Sequence, residues 1–380
     1  MAPGAARAGD GENPVAAFRR DLDRFLTVSI TAERLARWKR QGHVDRAVWT
    51  EFARAGFLGV SVPLAYGGRG GDFRHEVAII EALVRHRATG FAVPLHGAVV
   101  APYIARYARE EKRRDWLAKA VAGDMVLAVA MTEPNAGSDL QGIRTSAIRD
   151  GRGYRISGQK TFISNGLVAD LVLVACKTDR DAGARGVSLI AVETSRAGFE
   201  RGRLLDKLGQ HARDTTELFF RDVWVPEENL LGEEGGGFAM LMENLPQERM
   251  VIAWQALAMM EEALRLTLDR AGPPGPDDRM LGMRLKLAEC RTQTTIARVF
   301  LEHCTGLLLA ERLDTTTASM AKYWVSEAQA LVIDACLSAL EDDGVANGHP
   351  VAEMYRDARA FRLYGGTTEI MKTIIARSLR

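Results

Sequence analysis

Apolar residues recur every three or four positions along the first third of the chain. Phe18, Leu22, Phe25 and Leu26 share one helical face, and Val77, Ile80, Ala82 and Val84 repeat the pattern more loosely. Pro63 to Gly71 breaks it, as do the surroundings of Pro94 and Pro102. From Gly123 the period changes. Short β-rich runs follow one another at Val126 to Met131, Tyr154 to Ile156, Thr161 to Ser164, Leu171 to Cys176, Val187 to Val192 and Leu218 to Val225. Gly151-Arg152-Gly153 reads as a hairpin turn, and the spacing predicts a small antiparallel barrel or sandwich. From Gly235 the helical period returns in longer stretches, with Phe238, Leu241, Met242 and Leu245 on one stripe. Gly272-Pro273-Pro274-Gly275-Pro276 must stop that helix, because proline lacks the amide donor and clashes with the preceding turn. A second long helix is predicted from Met280 to Arg312, and a third from an N-cap at Asp314 to Leu340. A last pair covers Val351 to Leu363 and Thr367 to Arg377, so the helices read as a bundle.

The pattern therefore predicts an α+β chain in parts: a disordered leader at 1–13, a helical domain at 14–122, a β domain at 123–231 and a helical bundle at 232–380. Hydrophobic residues make up 47% of the 380 positions and the formal net charge is +1, so no global field draws the chain to nucleic acid. No run of about 18 apolar residues suits a membrane span, and the leader lacks an apolar signal core. Cys176, Cys290, Cys304 and Cys336 form no C-x-x-C pair and have no histidine cluster near them. This argues against a metal site or a disulfide framework and fits a reducing cytoplasm.

The candidate chemistry starts at Ala130-Met131-Thr132-Glu133-Pro134-Asn135-Ala136-Gly137-Ser138-Asp139, followed by Leu140-Gln141-Gly142. It ends a strand and contains a tight glycine turn, as a loop folding over a flat ring needs. It resembles the flavin-site signature of the acyl-CoA dehydrogenases. The resemblance continues in order through Gly158 to Gly166, Leu208-Gly209, Asp214 to Leu218, Leu230 to Glu233, Gly235 to Phe238, and Tyr364-Gly365-Gly366-Thr367-Thr368-Glu369-Ile370. It implies the acyl-CoA dehydrogenase fold: an N-terminal helical domain, a central small β-barrel or sandwich and a C-terminal four-helix bundle. It also implies FAD, an acyl thioester on CoA or a carrier protein, an electron-transfer flavoprotein or similar acceptor, and a dimer or tetramer of like or unlike subunits.

In many members of that family the base sits in a Y-E-G-T run near the C-terminus. Here the run is Tyr364-Gly365-Gly366-Thr367, without the carboxylate. The long-chain and isovaleryl branches carry their glutamate on the first bundle helix, where this sequence has Leu245-Pro246-Gln247-Glu248-Arg249. Helical geometry adds to the match. Leu241, Leu245, Glu248 and Ile252 share one face, and a carboxylate on an apolar stripe has its pKa raised by desolvation. The competing reading is a structural salt bridge to Arg249 or to a neighbouring helix.

Residue by residue, the resemblance puts Met131, Thr132 and Ser138 around the flavin ring and its ribityl end, and Phe162, Ile163 and Ser164 against the isoalloxazine. Phe162 stands where some branches have tryptophan. Ser138, Arg249, Tyr364 and Gly366 would line the acyl-CoA path, and the Gly365 N–H would donate to the thioester oxygen. Thr367 and Glu369 match positions near the FAD adenosine. Two motifs depart from the pattern. Where the family has R-x-x-F-G, directed at the pyrophosphate of the neighbouring subunit's FAD, this chain has Arg270-Ala271-Gly272-Pro273-Pro274, and Leu281 stands where a glutamine usually opens the next helix. Where the family has Q-x-x-G-G-x-G, this chain has Ser338-Ala339-Leu340-Glu341-Asp342-Asp343-Gly344, and three carboxylates would repel a pyrophosphate. The selective loss predicts a heteromer in which another subunit completes this chain's cofactor site. Two other readings stay open. An FMN-dependent monooxygenase of the same fold needs no pyrophosphate clamp but leaves Glu248 without a task. A flavin-free, non-redox relative suits the acidic run but not the intact Thr132 to Ser138 loop.

Overall fold

The computed structural model describes residues 14–272, 281–344 and 346–379. The leader at 1–13 and the proline-rich stop at 273–276, with the predicted helix start at Met280, lie outside the described residues.

Six α-helices come first: α1 (Pro14–Ser29), α2 (Ala32–Gln41), α3 (Arg46–Arg54), α4 (Phe73–Arg85), α5 (Ala101–Tyr107) and α6 (Glu110–Ala122). Phe18, Leu22 and Leu26 are buried as their spacing requires, and α4 is buried on nearly every side. The chain does not break at Pro102. Leu95–Val100 forms a π-helical turn that runs straight into α5, with Pro102 in its first turn. The wider turn accommodates a residue that cannot donate its own amide bond. This continuity matters because it carries Tyr103 into the molecule's interior.

The strands are β1 (Leu127–Ala130), β2 (Ser146–Asp150), β3 (Gly153–Ser164), β4 (Leu171–Lys177), β5 (Val187–Glu193), β6 (Phe199–Leu204), β7 (Thr215–Pro226) and β8 (Leu230–Leu231). They form one sheet in the order β6-β7-β3-β2-β4-β5-β8, with β1 on β4. The sheet is mixed rather than purely antiparallel, because β1 runs parallel to β4. The β2–β3 turn is Gly151-Arg152, with Gly151 at φ 59°, the left-handed conformation a two-residue hairpin asks of its first position. The runs at Tyr154 and Thr161 belong to one strand, β3. Its register against β7 slips between Ile156 and Gly158 and again between Lys160 and Ile163, which breaks the alternation.

The remaining helices are α7 (Gly237–Ala271), α8 (Leu281–Leu309), α9 (Thr315–Ala339), α10 (Glu341–Gly344), α11 (Pro350–Ala358) and α12 (Thr368–Arg377). Asp314 caps α9, accepting from the amides of Thr316 and Thr317. Helices α7, α8, α9 and α12 pack together as the bundle, and α4 lies against α7 from the N-terminal domain. Arg298 on α8 joins the two parts, pairing with Glu81 at 2.8 Å and Glu261 at 2.5 Å. No helix among the described residues is long and apolar enough to cross a membrane. All four cysteines are free and buried.

Candidate active site

Glu248 follows closely on Pro246, a proline that α7 absorbs without ending. Its carboxylate accepts a hydrogen bond from the Tyr103 hydroxyl at 2.6 Å. Among the described residues it makes no ion pair, so the salt-bridge reading of this glutamate does not hold. Protein encloses the carboxyl, although the residue as a whole keeps some accessible surface. Burial raises its pKa to about 7; the Tyr103 bond and the neighbouring Arg249 charge pull it part of the way back. A base with that pKa is half ionised at neutral pH, where proton transfer to it is effective. Replacing Tyr103 by phenylalanine removes one of the two opposing effects. The acid limb of the pH–rate profile is expected to move alkaline by about one pH unit. An unmoved limb in Tyr103→Phe would mean that the titrating base is another group.

Gly365 reaches the same place from the C-terminal segment. It has φ 65°, and an alanine methyl there would fall 2.1 Å from Ile252 Cδ1. Ile252 is one turn beyond Glu248 on the same face, so the Gly365 backbone lies against the glutamate's helix stripe. Gly366 follows at φ 99°. Its carbonyl accepts from the Lys322 ammonium at 2.6 Å. Lys322 on α9 is fully buried, and burial together with the Arg249 charge lowers its pKa to about 8. Arg249 is buried as well, donating to Ser319 Oγ at 3.1 Å, and burial lowers its pKa. Two buried cations therefore flank the turn and the carboxylate, and neither forms an ion pair among the described residues.

The second group of sequence-predicted residues gathers on the β domain. The loop after β1 folds into a tight turn, with Glu133 N donating to Ala136 O at 2.8 Å. Lys160, wholly buried in β3, donates to Met131 O and to Glu133 Oε1, each at 2.9 Å. The Glu133 carboxylate also accepts from the amides of Arg144 and Thr145. Burial alone would raise Glu133, but these bonds and the Lys160 charge outweigh it and hold the pKa below the usual range. Thr161 N closes onto Thr132 O at 2.9 Å, so the loop is fixed to β3 at both of its faces. Met131 borders the apolar cluster that contains Ile252.

At the slip in β3, Phe162 takes φ 57° and leaves its ring 67% exposed. A left-handed conformation costs a residue with a Cβ roughly 1–2 kcal/mol. An aromatic side chain held there and turned outward takes no part in the core. Ile163 differs: its side chain is buried in the sheet's own core, so only its backbone faces the loop. Ser138 is exposed at the loop's end, and Ser164 is partly buried.

The other expected residues lie apart. Thr367 caps α12, accepting from the Ile370 amide at 3.3 Å, with Glu369 exposed in the first turn. Tyr364 packs at a tilt against Phe361, ring centroids 5.4 Å apart, and its hydroxyl is enclosed near Gln210 and Arg213, facing the β domain. Arg270 is 22 residues after Glu248 on α7, about 33 Å along the axis at 1.5 Å per residue. There it pairs with Asp343 at 2.8 Å. Sequence reasoning missed Tyr103, Lys160 and Lys322. For Lys322 a signal existed: with Val325, Gln329 and Val332 it repeats at helical spacing on a buried face, where a lysine is out of place.

Comparison with known proteins matches one family along most of the chain. Models of the acyl-CoA dehydrogenase N-terminal, middle and C-terminal domains match residues 15–124, 128–223 and 235–380. The long-chain specific acyl-CoA dehydrogenase of Sus scrofa mitochondria is 40% identical over 95% of this chain and 85% of its own length. An acyl-CoA dehydrogenase of Bacillus subtilis is 35% identical over 87% of this chain and 88% of its own. The crystal structure of acyl-CoA dehydrogenase from Geobacillus kaustophilus superposes with a TM-score of 0.93 at 40% identity, covering 98% of this chain and 100% of that one.

Proposed function

The chain belongs to the acyl-CoA dehydrogenase family, and from that premise we propose that Glu248 is the base that takes the α-proton of an acyl thioester. It is an oxidoreductase acting on acyl-CoA, and its reaction is flavin-dependent. The observation that carries the assignment of the base is the enclosed Glu248 carboxylate, unpaired, bonded to Tyr103 and raised to about 7, with the Gly365 backbone against its helix face. Substrate loses a proton from the α-carbon to Glu248 and a hydride from the β-carbon, leaving the 2-enoyl thioester. Bound FAD supplies the acceptor for that hydride. As the α-carbon loses its proton, negative charge develops on the thioester oxygen, and the donor proposed to stabilise it is the Gly365 N–H. Arg249 and Lys322 add positive charge behind the turn. The proposed partner for reoxidation is an electron-transfer flavoprotein or similar acceptor.

The donor set fits FAD on one side only. Met131, Thr132, Ser138, Phe162, Ser164 and the Ile163 backbone form a surface suited to a flat ring, and Thr367 and Glu369 lie on the C-terminal segment beyond Gly365 and Gly366. The groups directed at a neighbour's pyrophosphate do not fit. Asp343 already neutralises Arg270, and Glu341 and Asp342 stand exposed beside it. We therefore propose that a second copy of this chain does not complete the cofactor site and that an unlike, related subunit does.

Purified protein is expected to show flavin absorbance that acyl-CoA bleaches without oxygen, tested with butyryl-, isovaleryl-, octanoyl- and palmitoyl-CoA. The long-chain name of the Sus scrofa relative puts palmitoyl-CoA first. Fully flavin-loaded protein that no thioester bleaches, but that consumes oxygen with a flavin reductase, would reassign the chain to the monooxygenases. Flavin content is expected to be low when the chain is expressed alone and to rise with a second acyl-CoA dehydrogenase subunit. Full FAD content and activity in a homomer would remove the assembly proposal and leave the dehydrogenase reading standing.

A further inference from the structure

Lys322 is a buried cation with no carboxylate in contact with it among the described residues. It is completely buried, and an ammonium taken out of water loses several kcal/mol of hydration unless a carboxylate compensates it. Among the described residues no carboxylate lies within ion-pair distance of it. Glu327, one turn on, is engaged by Thr368 Oγ1 at 2.7 Å and Arg362 Nη1 at 3.3 Å. Glu369 is exposed in the first turn of α12, and its charge, like that of Glu327, favours the ammonium only from a distance. The nearest charge from α7 is Arg249, of like sign. Among the described residues the ammonium makes one hydrogen bond, to the Gly366 carbonyl. A methionine of similar length would fill the same space at lower cost to the fold.

The C-terminal segment does not need Lys322 to stay attached. Thr368 and Arg362 already hold both flanks through Glu327, and Thr367 caps α12. What those contacts leave free is the turn between them. Gly365 and Gly366 carry no side chains to lock it, and both sit at positive φ, where glycine moves easily between conformations. The Lys322 bond lands in the middle of that soft stretch.

We propose that Lys322 is a positioning residue, whose ammonium holds the Gly365–Gly366 turn so that the Gly365 N–H meets the thioester oxygen. The inference rests on the role of Gly365 given above. It predicts loss of rate without loss of fold. In Lys322→Met, kcat is expected to fall about 10- to 100-fold, part of the effect of losing an oxyanion donor outright, with flavin content and KM little changed. Lys322→Gln keeps a neutral donor, one bond shorter than the ammonium, and is expected to recover part of that loss, at least about fivefold. Binding of lauroyl-CoA is also compared with that of S-dodecyl-CoA, the thioether that lacks the carbonyl. Wild type is expected to favour the thioester, and Lys322→Met to lose that preference.

Unchanged kcat and unchanged preference in Lys322→Met would overturn the proposal. So would equal impairment of Met and Gln variants with an alkaline shift of the acid limb, since that pattern assigns the effect to charge on Glu248. If Lys322→Met does not fold, Lys322→Gln carries the test, and a thioester preference lost although its donor is kept counts against the proposal. The binding comparison needs no turnover. A wild type that binds thioester selectively but dehydrogenates nothing would refute the reaction, while the Lys322 comparison still decides whether the ammonium positions the turn.

Discussion

Glu248→Gln is expected to lower thioester-dependent turnover by at least about a thousandfold, within the range that a positioned general base supplies. Glutamine has the same shape and can still accept from Tyr103, so the surroundings of the side chain and the fold stay as they are. What goes is the carboxylate's basicity, which removal of the α-proton requires. Flavin content should match wild type, and anaerobic bleaching by acyl-CoA should vanish. Bleaching at a near-normal rate in this variant would place the base elsewhere. The pH profile of the wild type gives a second reading. Glu248 acts only when ionised, so the rate should rise with pH through a midpoint near its pKa of about 7.

The same carboxyl makes an opposite prediction for stability. Its pKa in the folded chain, about 7, is above the 4.5 of an exposed glutamate. The protonated form is therefore the one the fold favours. The contribution to stability is full below pH 4.5 and is lost as pH rises through about 7. Above that, the fold must hold a buried anion. Glutamine has no such charge, so Glu248→Gln should gain stability relative to wild type at pH 8, by at most ~3 kcal/mol, and show little gain at pH 5. Urea midpoints at the two pH values measure it. A group kept at a cost to stability but needed for rate is what catalytic assignment requires, and an equal offset at both pH values would contradict it.

Glu248 was legible because two local facts meet on it: the motif around it and its place on an apolar stripe. Asp314 was legible for a similar reason, since a helix cap is decided within three residues. Elements whose reasons are distant were harder to read. Pro102 looks like a break until the π-helical turn before it is seen. β2 and β6 are short, and their charged residues hide the alternation that makes them strands. β3 reads as two runs because its slips reverse which side chains face the core, and the same slips turn Phe162 outward. Tyr103 owes its importance to a partner 145 residues away and Lys322 to one 44 residues away. No window of sequence contains both ends of either contact. The acidic run at Glu341 to Asp343 was legible as an anomaly. Its pairing with Arg270 needed the fold, because α7 and α10 meet only in space.

Gly365→Ala is the substitution expected to matter most after the base, and it separates position from chemistry. No reactive group is removed. The new methyl meets Ile252 Cδ1 at 2.1 Å, far inside contact distance, and the backbone sits at φ 65°, where alanine is strained. Overpacking of this kind costs about 1–3 kcal/mol. Ile252 is held in the buried cluster behind Glu248, so the softer partner is the glycine turn. If it moves away from α7, the Gly365 N–H leaves the thioester oxygen, and kcat/KM should fall about 100- to 1,000-fold. Ile252→Val removes only the Cδ1 atom and by itself should cost about 0.5–1.5 kcal/mol of stability with little loss of rate. The double variant then decides. If the clash displaces the turn, Gly365→Ala with Ile252→Val regains at least about tenfold of the lost rate, a coupling of more than about 1 kcal/mol between neighbouring sites. If the two losses simply add, the methyl harms the turn through its φ alone, and contact with the Glu248 face of α7 is not what places the donor.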